Sequence, residues 1–503
     1  MPSLLRFRAL AFAGVGLTIL SSLAAFSGCA SARRSDTKAA APRTSAPRKP
    51  NVVFVLVDDL GYGQLGAYGQ KLIATPHLDR MAAEGLKFSD FYAGSAVCAP
   101  SRAVLMTGRH TGHVSVRGNA HREIQQLKPS EPTVAEVMKS AGYDTALVGK
   151  WGLGEAGSGA TPNDRGFDFF YGYLNQVHAH NYYPEFLWRN GAQEKLRNEV
   201  EPAKNAYGDF RGGYATKKVD WTHELFMNEA ERWIRAHKEG PFFLYLSLTV
   251  PHGNNEARDD LGDGQEVPDY GPYADQPWPN PQKGHAASIT RLDEDMGKLL
   301  ALLAALKIDD DTLVIFTSDN GPHNEGGFDP SVFTPAGPLR GMKRDLYEGG
   351  VRAPTLAWWP GHIAPGRISR HVAYLGDVMA TLAELAGAPT PPATDSLSFL
   401  PELLGRAQKA TPHLYFEFYE QGGKQAVRKG KWKAVRAGLG QGPIELYDLE
   451  RDLGEAHDLA GEHPELVQEM AALMAEEHSP DPRWKVGGRP TPAPPPGHGV
   501  APF

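Results

Sequence analysis

Residues 52–59 read VVFVLVDD, an unbroken run of apolar residues that ends in two adjacent aspartates, Asp58 and Asp59. A short apolar run rich in branched residues is typical of a strand that is buried on both faces. Three other apolar runs also lead into polar residues: TALV (145–148) before Lys150, FFLYLSLTV (242–250) before His252, and TLVIFT (312–317) before Asp319 and Asn320. Because ligands of open α/β sheets bind at the carboxyl ends of the strands, the four segments predict chemistry at one rim of one sheet.

Amphipathic helices alternate with these strands. Thr133 and Glu136 form a capping box, and the apolar residues that follow at helical spacing share one face before Gly142 ends the helix. A second helix is predicted over residues 289–303, which carry apolar residues on one face and lead into the strand around residues 313–316. This alternation of helix and strand predicts an α/β core.

Length and composition indicate the size of the core and the classes of partner. The chain has 503 residues, of which 41% are hydrophobic, and this is sufficient for a large soluble core in two domains. The net charge is −7 and no basic run lies outside the N-terminal leader, so we expect no nucleic-acid partner. Recognition of an anion is expected to be local to a cleft.

Residues 1–29 have the form of an export leader, in which two arginines precede an apolar stretch that runs to Phe26. The segment Ser27–Gly28–Cys29 resembles a bacterial lipobox, whose cysteine is lipidated and becomes the N-terminus, although Phe26 stands where leucine is usual. Lipidation and simple cleavage with release are both open. We expect an exported protein, in the periplasm or at the cell surface, whose contact with a membrane is a lipid anchor at Cys29.

Two segments of biased composition flank the predicted domains. Residues 30–50 are rich in Ala, Ser, Pro, Lys and Arg and are predicted to form a flexible linker. Residues 481–503, with the run PTPAPPPGHG, are predicted to form a disordered tail. If Cys29 is lipidated, Cys98 is the one thiol of the mature chain, and no disulfide can form within it.

Cys98 begins the most distinctive motif of the chain, CAPSRAVLMTGR at residues 98–109. A lone cysteine is commonly a small buried apolar residue, but here a proline, a serine and an arginine follow it and a helix-like stretch leads the chain away. The run resembles the signature of the sulfatase family, C-x-P-S-R followed by x-x-x-L/M-T-G. Every position of that signature is filled, by Cys98, Pro100, Ser101, Arg102, Met106, Thr107 and Gly108.

The resemblance implies a modified nucleophile. In sulfatases a formylglycine-generating enzyme oxidises the signature cysteine, here Cys98, to formylglycine (3-oxoalanine). The hydrated aldehyde carries two hydroxyls on one carbon, so one can attack sulfur and the other can later expel sulfate, which a thiol cannot do. The expected activity is therefore that of a sulfuric ester hydrolase that acts on a sulfated small molecule or glycan, with carbohydrate sulfates expected ahead of aryl sulfates.

The resemblance continues through the C-terminal part of the chain. Short strand-like segments and a helix follow residue 390, and they match the small C-terminal subdomain of sulfatases: LYFEFYE (414–420), QAVRKGKWKAVR (425–436) with Trp432 and Lys433, and IELYDLE (444–450). The likeness implies an alkaline-phosphatase-like α/β fold. Its large central mixed sheet flanked by helices is assigned to residues 51–389, and its small antiparallel sheet with a helix to residues 390–480.

Asp58, Asp59, Asp319 and Asn320 offer four hard oxygen donors at the same predicted rim. Such donors suit Ca²⁺ or Mg²⁺, and the lack of a cluster of cysteines and histidines argues against zinc. The matching residues of sulfatases bind one divalent ion, usually calcium, which also contacts the formylglycine, here at Cys98, and the substrate sulfate. The resemblance therefore implies one Ca²⁺ per chain, with Mg²⁺ as the alternative.

Sulfate transfer develops negative charge on the attacking and leaving oxygens, so catalysis requires fixed positive charge beside the metal. The resemblance assigns Arg102 and Lys150 to holding the formylglycine hydrate. It assigns His252, in TVPH, and Lys343, in GMKRDLYEGG, to binding the sulfate. His252, or another acid near it, is expected to protonate the departing alcohol.

The chain departs from the family at Gly152. Sulfatases commonly read GKWHLG, with a histidine that takes a proton so that sulfate can leave, whereas this chain reads GKWGLG. His178 and His180, in HAHNYYP, are candidate replacements, because histidine is the usual proton carrier near neutral pH. The alternative is that both contact substrate or lie in a surface loop. His323, just after DNGP, is a third candidate.

Two other functions stay open. A phosphate or phosphonate monoester hydrolase of the same superfamily shares the fold and the metal-binding rim, and some phosphonate monoester hydrolases carry the same signature. A non-catalytic binder of sulfated glycans would keep the pocket without turnover, and Gly152 is the feature that favours it. The sequence does not identify the alcohol, although Tyr182, Tyr183 and Trp188 near the HAH segment could stack on a sugar or an aryl ring.

Overall fold

The structure, a computed structural model, describes residues 49–119, 125–204 and 212–486. The predicted leader with Cys29, most of the linker, and the Pro-rich part of the tail lie outside the described residues. None of the described helices is long and apolar enough to cross a membrane. The strands, in chain order, are β1 (Asn51–Asp58), β2 (Leu86–Phe88), β3 (Phe91–Tyr92), β4 (Asp144–Lys150), β5 (Phe169–Tyr173), β6 (Phe186–Arg189), β7 (Ala192–Lys195), β8 (Glu199–Pro202), β9 (Gly213–Lys217), β10 (Phe242–Pro251), β11 (Thr312–Ser318), β12 (Thr355–Trp358), β13 (Arg367–Ser369), β14 (Ala373–Tyr374), β15 (Leu414–Phe418), β16 (Lys424–Lys429), β17 (Trp432–Ala437) and β18 (Ile444–Asp448). The α-helices are α1 (Pro76–Glu84), α2 (Cys98–Thr107), α3 (Val134–Ser140), α4 (Thr222–His237), α5 (Asn255–Leu261), α6 (Asn280–Ala305), α7 (Glu348–Val351), α8 (Val378–Ala386), α9 (Leu400–Leu403) and α10 (Pro464–Glu476).

A ten-stranded sheet forms the centre of the described residues, in the order β13-β2-β12-β11-β1-β10-β4-β5-β6-β7. The five central strands β11, β1, β10, β4 and β5 run parallel to one another. At the two sides β12 runs antiparallel to β11 and to β2, and β6 runs antiparallel to β5 and to β7. The sequence-based prediction of a large mixed sheet is therefore confirmed.

Both faces of this sheet are covered, which explains the unbroken apolar runs. All eight residues of β1 are buried, and alternate side chains point to opposite faces. Val52, Phe54 and Leu56 pack on the side of α2, α3 and α8, whereas the intervening valines pack on the side of α1, α4 and α6. The predicted helix cap is also present, since the Thr133 hydroxyl accepts a hydrogen bond from the Glu136 backbone N–H.

The register of the parallel strands brings their carboxyl ends to one edge. Val57 of β1 lies opposite Ser318 of β11, and Asp58 lies opposite Pro251 of β10. Ser247 of β10 lies opposite Gly149 of β4. The polar residues that follow each strand are consequently neighbours in space, and the prediction of a single rim is confirmed.

A separate four-stranded antiparallel sheet, β15-β16-β17-β18, packs against α10 near the C-terminus. The predicted segment 425–436 is a hairpin of two strands, because Gly430 adopts a φ of 56° in the turn between them. Lys433 of β17 donates a hydrogen bond of 2.7 Å to the buried carboxylate of Glu348, which ties this sheet to α7. Beyond α10, within the segment that the sequence assigns to the tail, Trp484 is buried and its indole N–H donates to the Ser115 carbonyl at 2.8 Å.

Candidate active site

Two buried aspartates end β1 and set the geometry of the rim. Asp59 adopts a φ of 66°, a left-handed conformation that is uncommon for a residue with a side chain. This turn directs the Asp59 backbone N–H to Asp319 Oδ1 at 3.0 Å. Asn320 Nδ2 in turn donates to Asp59 Oδ1 at 2.6 Å. The ends of β1 and β11 are thus joined through three of the four residues that the sequence predicted as metal ligands, Asp59, Asp319 and Asn320.

The donor set fits a hard divalent cation. Ligand atoms of Asp58, Asp59, Asp319 and Cys98 all lie within 4.8 Å of one another. Asn320 Oδ1 is buried and has no hydrogen-bond partner among the described residues. A buried carbonyl oxygen that lacks a donor, next to three carboxylates, is the arrangement that oxygen-seeking cations such as Ca²⁺ use.

The protonation states of the aspartates give a second reason for a cation. Burial raises the pKa of Asp58, but Lys150 and Arg102 outweigh that effect and hold it well below its usual range. Burial and the neighbouring Asp58 charge raise the pKa of Asp319 to about 7, in spite of two hydrogen bonds from Arg102. Three adjacent buried carboxylates repel one another, and a divalent ion between them would favour the charged form of all three.

Cys98 is the first residue of α2, and its thiol donates to Asp58 Oδ1 at 3.2 Å. The side chain is only 2% exposed. Burial, followed by the Asp58 charge, raises the pKa of the Cys98 thiol well above its usual value. The unmodified cysteine is therefore a neutral thiol beside the carboxylates, without the thiolate that nucleophilic cysteines require.

Arg102, one turn along α2 from Cys98, links the helix to the strand ends. Its Nη2 lies 2.8 Å from Asp319 Oδ2 and 3.6 Å from Asp58 Oδ2. Its Nη1 donates to the Ser247 hydroxyl and, at 3.1 Å, to the Lys150 carbonyl. The guanidinium therefore fixes the position of α2 against three strands while its charge offsets that of the aspartates.

Lys343 and His252 form the other side of the site. Lys343 Nζ lies 2.8 Å from Asp59 Oδ2 and 3.1 Å from His252 Nε2. Burial and the Lys343 ammonium lower the pKa of His252 to about 4, so the ring is neutral and Nε2 accepts from the lysine. His252 Nδ1 has no hydrogen-bond partner within the described part of the chain.

Glu325 and Arg344 belong to the same cluster, and the sequence analysis did not identify them. Glu325 Oε2 lies 3.0 Å from Lys343 Nζ and 3.2 Å from His252 Nε2, and its Oε1 accepts from Arg344 Nη1 at 2.6 Å. Both residues are buried. The one available signal was their position, because Glu325 follows SDNGP by a few residues and Arg344 is adjacent to Lys343. Nothing in the spacing indicated that the loop turns back onto the strand ends.

Comparison with known proteins agrees with this geometry. The family model described as Sulfatase matches residues 50–388, and the model described as N-sulphoglucosamine sulphohydrolase, C-terminal, matches residues 342–479. The chain belongs to the sulfatase family. It is a sulfuric ester hydrolase with the alkaline-phosphatase-like fold.

Three similar proteins cover nearly the same length. Human arylsulfatase A is 35% identical over 88% of this chain and 90% of its own. The N-acetylgalactosamine-6-O-sulfatase of Bacteroides thetaiotaomicron is 29% identical over 91% of this chain and 98% of its own. The solved structure of Ps i-CgsB in complex with k-i-k-neocarrahexaose has a TM-score of 0.73 and 26% identity, and covers 87% of this chain and 95% of that one.

The three candidate histidines of this sulfatase lie in different surroundings. The His180 ring stacks on His252 with centroids 4.8 Å apart, and its Nδ1 lies 3.0 and 3.2 Å from the two oxygens of the buried Glu256 carboxylate. His178 instead packs against Tyr173 and Phe186, and burial lowers its pKa to about 4. Of the two, His180 is the one that contacts a residue of the cluster.

His323 makes two hydrogen bonds to the backbone. Its Nε2 donates to the Pro251 carbonyl at 3.0 Å, and its Nδ1 accepts from the Glu325 N–H at 2.9 Å. Since both ring nitrogens are engaged, His323 holds the Glu325 loop against β10 and is not placed to carry a proton. The prediction of His323 as a third proton carrier therefore does not fit its hydrogen bonds.

Proposed function

We propose that the protein hydrolyses carbohydrate sulfate esters with a formylglycine made from Cys98 and one Ca²⁺ bound by Asp58, Asp59, Asp319 and Asn320. The observation that carries the proposal is the position of the Cys98 sulfur, within 4.8 Å of ligand atoms of all three aspartates. In this interpretation the sulfur stands in for an oxygen of the hydrated aldehyde. A bound Ca²⁺ would supply positive charge to that oxygen and to the sulfate.

The residues around Cys98 match the charge changes of sulfate transfer. Lys150 Nζ lies 2.6 Å from Asp58 Oδ2, on the side of the nucleophile. Together with Arg102 it stabilises the ionised oxygen of the hydrated residue 98. Lys343 lies beside His252 and offers a charge to the sulfate oxygens. An anionic sulfate next to the neutral His252 ring favours its protonated form, which can then donate to the departing alcohol.

Release of sulfate requires a base, because the second hydroxyl on residue 98 must lose its proton as its oxygen becomes a carbonyl and the bond to sulfate breaks. We assign this role to His180. With Nδ1–H donating to the Glu256 carboxylate, the ring lone pair that can accept a proton lies on Nε2. This pair would supply the base that the resemblance gives to the histidine missing at Gly152.

Unpaired donors at the site support a substrate with hydroxyl groups. Arg344 Nε and Nη2 are buried and have no acceptor among the described residues. Such donors are satisfied when an oxygen-rich ligand lies beside them. Two of the similar proteins carry names or bound ligands of the same kind, an N-acetylgalactosamine-6-O-sulfatase and a complex with a neocarrahexaose. A sulfated sugar is therefore proposed over an aryl sulfate.

We also propose that the protein is exported and anchored through a lipid on Cys29, and that a formylglycine-generating enzyme acts on Cys98 before folding is complete. The second part follows from burial, because a cysteine that is 2% exposed is not accessible to another enzyme in the folded chain. Mass spectrometry of the N-terminal peptide of membrane fractions tests the first part. A lipid on Cys29 is the expected result, and a free N-terminus after cleavage would contradict it.

The deciding experiment combines peptide chemistry and turnover. Protein made together with a formylglycine-generating enzyme is digested with trypsin, and the peptide from Phe88 to Arg102 is weighed. We expect an aldehyde at Cys98, release of sulfate from sulfated sugars that exceeds phosphate release from matched phosphate esters, and loss of both aldehyde and activity in Cys98→Ala. Cys29→Ala is the matched control and should keep both. An unmodified thiol with activity, or activity in Cys98→Ala, would overturn the proposal.

A further inference from the structure

The place of the missing histidine is filled by another side chain. Gly152 adopts a φ of 76°, and a Cβ added to it would lie 2.6 Å from Gln176 Nε2 and 2.9 Å from Gln176 Cδ. Real Cβ atoms do not approach other atoms this closely, so a side chain at position 152 and the carboxamide of Gln176 cannot both be accommodated as they stand. The Gln176 carboxamide therefore occupies the space that a side chain at position 152 would need.

The backbone holds these two positions side by side. The Gly152 N–H donates to the Leu174 carbonyl at 3.0 Å, continuing the pairing of β4 with β5. The Gly152 carbonyl accepts from Gln125 Nε2 at 2.9 Å. Position 152 also follows Lys150 by two residues, and Lys150 Nζ lies 2.6 Å from Asp58 Oδ2. Gln176 thus reaches the loop that extends from the nucleophile side of the site.

Gln176 is only 6% exposed, and its Nε2 has no hydrogen-bond partner among the described residues. Leaving a buried amide donor unpaired costs about 1–3 kcal/mol, so this donor calls for a partner that the described residues do not supply. The ligand chemistry that fits is an oxygen acceptor, because the free atom is an N–H donor.

We infer that Gln176 is a positioning residue that replaces the histidine absent at Gly152, and that its Nε2 donates a hydrogen bond to an oxygen of the hydrated residue 98 or of the sulfate bound there. The inference rests on the proposed function. A carboxamide does not titrate, so Gln176 orients the reacting oxygen and takes no proton, and the release step relies on the separate base His180. Gln176 and His180 would thus share two roles, orienting the oxygen and accepting the proton, that one histidine has elsewhere in the family.

The first test compares Gln176→Ala with Gln125→Ala, which removes the other glutamine that contacts Gly152. We expect Gln176→Ala to lower kcat about 10-fold with KM changed less than about 2-fold, and to leave the aldehyde at residue 98 and the melting temperature unchanged. Gln125→Ala should keep kcat. A Gln176→Ala enzyme with the kcat and KM of the parent would overturn the inference.

The second test measures whether a histidine at position 152 and the side chain of Gln176 compete for the same space. Gly152→His alone should lower the melting temperature, because φ at this residue is 76° and the Gln176 carboxamide occupies the space. Adding Gln176→Ala should recover part of the melting temperature and raise kcat above that of Gly152→His alone. The double variant should also show a new acid limb in its kcat profile near pH 6.5, the ordinary pKa of histidine.

Equal melting temperatures for Gly152→His with and without Gln176→Ala would show that the positions do not share a volume, and would also overturn the inference. This readout needs no turnover. If the parent enzyme carries no aldehyde and releases no sulfate, the proposed function fails, and the melting temperatures still report on the exchange between positions 152 and 176.

Discussion

Lys150 Nζ lies 2.6 Å from Asp58 Oδ2, and both side chains are 1% exposed. Asp58 Oδ1 accepts from the Cys98 thiol, so one carboxylate connects a buried cation to the nucleophile position. Removing the lysine leaves the Asp58 charge without its nearest partner and raises its pKa toward that of a buried carboxyl group. The pair therefore stabilises the site and also sets the charge available to the reacting oxygen.

Replacement of Lys150 by methionine tests this dual role. We expect Lys150→Met to lower kcat about 100-fold, which is the usual effect of removing one electrostatic contact to the reacting group. Lys433→Met is a matched control, because Lys433 is also fully buried and paired with a carboxylate, Glu348, at 2.7 Å. That control should lower the melting temperature and leave kcat nearly unchanged. Equal kcat losses in the two variants would show that buried lysines act here through stability alone.

Binding of calcium should depend on Asp59. Asn is the substitution of choice, because it tolerates the left-handed φ of 66° and removes only the charge. We expect added Ca²⁺ to raise the melting temperature of metal-stripped parent protein, by mass action, and to have no such effect on Asp59→Asn. Asp377→Asn is the control, since Asp377 is a buried carboxyl group outside this cluster whose pKa burial raises to about 8. A calcium-dependent rise that persists in Asp59→Asn would remove Asp59 from the ligand set.

The two histidines of the HAH segment should behave differently. His180→Asn is expected to lower kcat about 100-fold, because it removes the base that Glu256 orients. His178→Asn, two residues away and also buried, should lower kcat less than about 3-fold. Sulfate release by the purified variants is compared at several pH values. A larger loss in His178→Asn than in His180→Asn would reverse the assignment.

Glu325 should contribute to folding as well as to the site. It is the shared acceptor of Lys343, Arg344 and His252, so Glu325→Ala takes this carboxylate from the buried Arg344 guanidinium and leaves Lys343 with Asp59. Breaking a buried ion pair in this way costs about 3 kcal/mol in free energy of unfolding. Urea denaturation measures the loss, and Glu231→Ala, at an exposed ion pair on α4, should change the free energy by less than about 0.5 kcal/mol. A Glu325→Ala protein as stable as the parent would show that water or an ion replaces the carboxylate.

A pH-dependent contribution to stability is expected from His113. Its Nδ1 lies 3.0 Å from both oxygens of Asp395, and this hydrogen bond raises the pKa of His113 above its usual value. A raised pKa in the folded state stabilises the protein fully below about pH 6.5, the ordinary pKa of histidine. The stabilisation is lost as the pH rises through the higher folded value. Arg117, whose charge opposes the shift, and the carboxylate of Glu477 also act on this ring.

His113→Asn should therefore remove part of the fall in free energy of unfolding between pH 6 and pH 8.5. Urea denaturation of the parent and of the variant at both pH values measures the difference. Asp395→Asn should remove the same dependence, because it deletes the partner that raises the pKa. If all three proteins lose stability equally over this range, the His113–Asp395 pair makes no pH-dependent contribution.

Much of the fold was predictable from local patterns. The run at 52–57 had to be buried on both faces because it contains no polar residue, and β1 lies in the middle of the sheet accordingly. The four strand ends met at one rim because neighbouring parallel strands in one sheet end at the same edge. The sequence predicted residues 425–436 as one strand-like segment. The structure divides it into two strands at Gly430, whose φ is positive.

The sequence by itself determined the α/β core, the signature at Cys98, and the charged residues that follow the strands, because each of these is encoded within a few adjacent residues. It did not determine that Glu325 pairs with Lys343 and His252, that His180 rather than His178 contacts His252, or that Gln176 fills the space beside Gly152. Those relationships join residues from separate loops, whose paths depend on hydrogen bonds and packing across the whole rim. Local propensity carries no information about such long-range contacts, so only the tertiary structure decided them.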